Sequence, residues 1–86
     1  MNLDTLSYAT LGMIWRQIHA HPVTFARAIF DHRKPGYVKA TRLLGAYAVN
    51  KATAMKRRED GDIENARRYD EICERIYNRL PEWARW

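Results

Sequence analysis

Apolar positions recur every three to four residues through four stretches of this chain, and proline, glycine or a capping side chain separates each stretch from the next. The first predicted helix runs from about residue 4 to 19, with Asp4 as N-cap and a stripe of Tyr8, Leu11, Ile14 or Trp15, and Ile18. His19-Ala20-His21-Pro22 interrupts it, and Pro22 suits the first turn of a second helix over 22–32. Val23, Phe25 or Ala26, Ile29 and Phe30 are the expected buried residues of that helix. Arg33-Lys34-Pro35-Gly36 reads as a turn, because Pro-Gly stops a helix and supplies a residue for positive φ.

A long third helix is predicted over 37–58, burying Leu43, Leu44, Tyr47, Ala48, Ala54 and Met55. Gly45 within it costs about 1 kcal/mol of helix propensity relative to Ala, so close approach of another helix is the expected reason for it. Lys51 projects from the middle of the apolar stripe and is expected to snorkel or to meet an acid of another element. Glu59-Asp60-Gly61 forms a reversing turn, and Asp62 caps a fourth helix over 63–80. Ala66, Tyr69, Cys73, Ile76, Tyr77 and Leu80 make its core-facing stripe, with acid-first Glu64/Arg68 and Glu71/Arg75 pairs outside. Pro81 then opens an aromatic tail, 81–86. No strand alternation or internal repeat competes with this reading. The expected fold is a single all-α domain, residues 1–86. It is a small bundle of four helices built on a C-terminal antiparallel helical hairpin, with the two shorter helices packed across it.

Composition narrows the class. Eighty-six residues that are 47% hydrophobic and 12% aromatic suffice for one modest core. One cysteine, Cys73, excludes an internal disulfide and suits an intracellular, reducing compartment, cytoplasm or organelle matrix. The segment from Met1 to Ala9 has neither the basic start of a secretory signal nor the Arg-rich composition of a transit peptide. Arginines at 16, 27 and 42 break every apolar run long enough to span a membrane.

Charge changes the picture more. Residues 1–58 carry ten basic side chains and two acids, a local net of +8, while residues 59–86 carry five against eight, a local net of −3. On the third helix Lys39, Arg42, Lys56 and Arg57 share one side, interleaved with the small residues Ala46, Val49, Asn50 and Thr53, and Arg58 follows. Such a face can receive an acidic partner helix or track phosphates. Trp83 and Trp86, with Arg85 between them, are costly to leave exposed; they are either interface anchors or a cap on the chain's own core. His19, His21, His32 and Cys73 lack the paired spacing of a structural metal site, and Cys73 sits mid-stripe as a small hydrophobe with no base in sight. No glycine-rich phosphate loop is present. No catalytic residue, metal or cofactor is therefore expected.

Two short segments carry resemblances. Gly61-Asp62-Ile63-Glu64-Asn65-Ala66 resembles the turn of a tetratricopeptide unit, but Asn50, Thr53 and Ala54 stand where that repeat's Trp-Leu-Gly signature belongs, and only one copy exists. It reads as a generic helical hairpin. Met13-Ile14-Trp15-Arg16 resembles the Leu-Tyr-Arg signature of small helical accessory proteins of mitochondrial complexes, with both positions before the Arg substituted. The plainer reading is a core-facing aromatic beside an exposed Arg. The expected function is a non-catalytic accessory or adaptor subunit docking on a larger protein assembly, such as a respiratory-type complex. Its contacts are Lys39, Arg42, Lys56, Arg57, Arg58, Trp83, Arg85 and Trp86. The alternative is a small basic protein binding nucleic-acid phosphates through the third helix.

Overall fold

The computed structural model describes all 86 residues and is entirely helical. Helix α1 spans Tyr8–Ala20, α2 Pro22–Ile29, α3 Tyr37–Glu59 and α4 Ile63–Arg79, with 3-10 turns at Leu3–Thr5 and Glu82–Ala84. The first helix begins four residues later than the sequence suggests. Ser7, not Asp4, caps it, its hydroxyl accepting from the Thr10 amide at 3.3 Å. Asp4 lies instead in the separate N-terminal turn. Helix α2 also ends earlier, at Ile29, and Phe30 turns into extended backbone.

The two predicted turns follow their chemistry. Gly36 (φ 74°) leads into α3 and Gly61 (φ 83°) reverses the chain, conformations that cost L-side chains most. Asp62 then caps α4, accepting from the Asn65 amide at 3.3 Å and its side chain at 2.7 Å, and those bonds hold its carboxyl below the usual range. Arg68 reaches Glu64 at 3.5 Å, whereas Glu71 and Arg75 do not pair.

Helix α3 is the centre of the molecule. It packs against α4 on one flank and against α1 and α2 on the other, while α4 scarcely touches α1 or α2. The short Asp60–Asp62 link makes α3 and α4 antiparallel. With extents of 43 × 23 × 18 Å the body is about two helix diameters thick. The core runs along α3 through Ala40, Leu44, Tyr47, Ala48 and Ala52, meeting Leu11 and Ile18 of α1, Cys73 and Ile76 of α4, and Leu80, which caps the C-terminus of α4. The alanines let the helices approach closely. Gly45 serves the same end: a Cβ there would stand 2.9 Å from Ile18 Cγ2. Two predicted core residues, Tyr8 and Val23, are exposed, because α1 and α2 meet α3 along narrower stripes than their sequences allow, and a third, Tyr69 of α4, is half-buried outside the core. No helix is long and apolar enough to cross a membrane.

Candidate functional site

The long central helix leaves two sides to be covered, and the chain treats them differently. On one side the terminal turns fold across α3. Leu3 and Ala84 enter the core, and Asp4 becomes the hub of a polar clasp. Tyr47 donates its hydroxyl hydrogen to Asp4 Oδ1, Trp86 Nε1 donates to Oδ2 at 2.9 Å, and Lys51 Nζ lies 3.7 Å from Oδ1. The acid expected to meet Lys51 is thus Asp4, contributed from 47 residues earlier in the chain. Trp86 stands edge-on to Tyr47 and to Tyr77, with ring centroids 5.0 and 4.9 Å apart, and its backbone carbonyl accepts from the Tyr77 hydroxyl. Burial pushes the Asp4 carboxyl up, but the bonds from Trp86 and Tyr47 and the Lys51 charge outweigh it and hold the group below its usual value. The Tyr47 phenol is driven well above the ordinary range, first by burial and then by Asp4.

A polar recess of about 430 Å³ adjoins this clasp. Two ion pairs lie within it, Arg58 with Asp70 at 2.6 Å and Lys51 with Asp4, while Glu74 at its edge pairs with neither cation. Cys73 lines it, yet the residue is only 3% exposed, its thiol donates to the Tyr47 carbonyl at 3.7 Å, and burial pushes its pKa up to about 11. The thiol therefore stays protonated at neutral pH. Nowhere do three His, Cys, Asp or Glu side chains converge to hold a metal ion.

The other side of α3 stays open. Between it and α1 run two recesses, of about 450 and 440 Å³, that meet at Trp15 and Val49. One is bordered by Tyr8, Gly12, Met13, Arg16 and Thr53, the other by Ile18, His19, Pro22, Arg42 and Ala46. Tyr8 is 51% exposed and Met13 63%. Trp15 stacks on His19, one turn along α1, at 5.5 Å and 20° between planes. Asn50 and Thr53 of α3 donate back to the carbonyls of Ala46 and Val49 at 2.7 and 2.8 Å. Those donors are engaged with their own helix, which leaves the floor of the groove largely apolar.

The residues nominated from the sequence are dispersed rather than gathered. Arg42 lines the open groove, and Lys39 lies at the start of α3 in a recess shared with Leu43, Arg79 and Pro81. Lys56 pairs with Asp60 at 3.4 Å, Arg58 pairs with Asp70, and Arg57 makes no ion pair. Trp83 lies edge-on to Phe30 at 5.0 Å, and Trp86 closes the clasp. Arg85 holds the end of α4, donating to the Leu80 and Asn78 carbonyls at 3.0 Å each, with its guanidinium over the Tyr77 ring. Periodicity alone does not mark Tyr8, Gly12 and Met13 as surface features. The legible signal was Met13, an apolar residue off the Leu11–Ile18 stripe. No protein-family model matches the chain, and no match is found among curated proteins or solved structures.

Proposed function

We propose that this chain is a non-catalytic adaptor that docks on a protein partner through the open side of α3 and the adjoining face of α1. The observation that carries this reading is the exposure of Tyr8 and Met13 beside the Trp15 groove, Tyr8 being the one aromatic among the chain's exposed large apolar side chains. Large apolar side chains bordering a preformed groove are what interfaces bury. A domain this small gains stability readily from such docking. The larger assembly and the compartment belong to the same proposal, and the tryptophan tail supports it by bracing α3 rather than by touching the partner.

A second reading has one observation in its favour. Lys39, Arg42 and Arg57 have no acidic partner within the chain, as cations that contact phosphates would not. Nucleic acid would then be the partner, with affinity falling steeply as salt rises. A pull-down with tagged protein from native extract, with and without nuclease and with Gly12→Gln as the groove-blocked control, separates the two. A stoichiometric, nuclease-resistant protein lost in the control supports the adaptor. Partners that vanish with nuclease and persist in the control overturn it.

A further inference from the structure

We infer that the occupant of the α1–α3 groove is an acidic amphipathic helix of about three turns, carried by a protein partner. This rests on the adaptor reading and adds the chemistry of what docks. The groove extends from Tyr8 and Thr53 at one end to Pro22 and Arg42 at the other. Eleven residues separate Arg42 from Thr53 along α3, about 16 Å or three helical turns. Its two recesses meet at Trp15 and Val49, so an occupant finds two apolar depressions in line. A helix offers such a surface side chains at i, i+3, i+4 and i+7.

Gly12 supplies an independent reason. Glycine in a helix interior costs about 1 kcal/mol relative to alanine, yet a Cβ at Gly12 would meet nothing within 4 Å. Packing inside the chain does not need the glycine. A partner backbone lying close against α1 does. The sign of the partner's charge follows from the rim: Arg16 and Arg42 border the recesses, and no Asp or Glu joins them. A second copy docked groove to groove would set arginine against arginine. A nucleic acid would use the cations but gain little from apolar Ala46, Val49 and Met13.

The test is an NMR titration of the isotopically labelled full chain with a synthetic helix-forming peptide, its leucines at i, i+3, i+4 and i+7 and glutamates elsewhere. A lysine-for-glutamate version and a scrambled version are the controls. Amide shifts should centre on Gly12, Met13, Ala46 and Val49. Gly12→Gln, which retains the fold because nothing occupies that space, should raise Kd about tenfold or more, and Arg42→Glu about fivefold. Shifts centred on α4, equal binding by either control peptide, displacement by a short DNA duplex, or no binding by about 1 mM peptide would each overturn the inference. If the extract yields a protein partner lost with Gly12→Gln but cross-linked through a segment that is not an acidic helix, the occupant is wrong and the adaptor reading stands. If the extract yields no groove-dependent protein at all, the adaptor reading fails first.

Discussion

The two sides of α3 differ in how their side chains find partners. On the clasped side, residues far apart in sequence satisfy one another: Asp4 takes hydrogen bonds from Tyr47 and Trp86 and pairs with Lys51. On the open side the donors of Asn50 and Thr53 turn back on their own helix, and Tyr8 and Met13 lie exposed beside the groove. Within the α1–α3 contact itself two glycines differ. Gly45 is required by Ile18, which leaves no room for a Cβ, whereas Gly12 borders empty space. A small domain thus spends its long-range polar contacts on one flank and keeps the other available.

The largest effect should come from the clasped side. Replacing Trp83 and Trp86 together by Ala removes edge-on contacts to Phe30, Tyr47 and Tyr77 and should lower the unfolding free energy by about 3–5 kcal/mol in urea titrations. An unchanged midpoint, with assembly alone lost, would assign the tail to an interface instead. Next, Gly45→Ala should destabilise by about 1–2 kcal/mol, since overpacking against Ile18 exceeds the gain in helix propensity.

Asp4→Ala should cost about 1 kcal/mol at neutral pH by unpairing Tyr47, Trp86 and Lys51. That cost has a pH signature. The folded carboxyl titrates below its unfolded value of about 4, so its contribution is complete at neutral pH. It fades as the pH falls below about 4 and is lost once the folded value is passed. The stability gap between wild type and Asp4→Ala should therefore narrow in acid; a gap that is constant from neutral pH into strong acid would show that the ionised carboxylate is not what holds the clasp. The smallest effect has the opposite sign. Gly12→Ala should raise stability by about 0.5–1 kcal/mol, read as a higher thermal midpoint. If it destabilises, Gly12 is packed within the chain and the contrast with Gly45 disappears.

Much of the clasped side could be foreseen only as questions. The charged Lys51 in an apolar stripe announced an acid elsewhere, but nothing local pointed to Asp4, whose position before an apolar stretch looked like a helix cap. The tail tryptophans announced burial without saying against what. Gly45 announced a close helix and met one, Ile18 of α1. The open side was harder to see, because Tyr8 fits the α1 periodicity and is excluded from the core only by where α1 rests on α3.

What the sequence determined by itself is what depends on neighbours within a turn or two. It determined four helices, the Pro22 start, the positive-φ turns at Gly36 and Gly61, the Asp62 cap, and the α4 stripe that buries Ala66, Cys73, Ile76 and Leu80. These follow from backbone sterics and 3.6-residue periodicity, which are local. Only the tertiary structure decided that α3 would be central, that Asp4 would meet Trp86 across 82 residues, and that one flank would remain a groove. Those outcomes depend on how amphipathic faces of unequal width share a small core, a contest settled by packing the helices together rather than by any one segment.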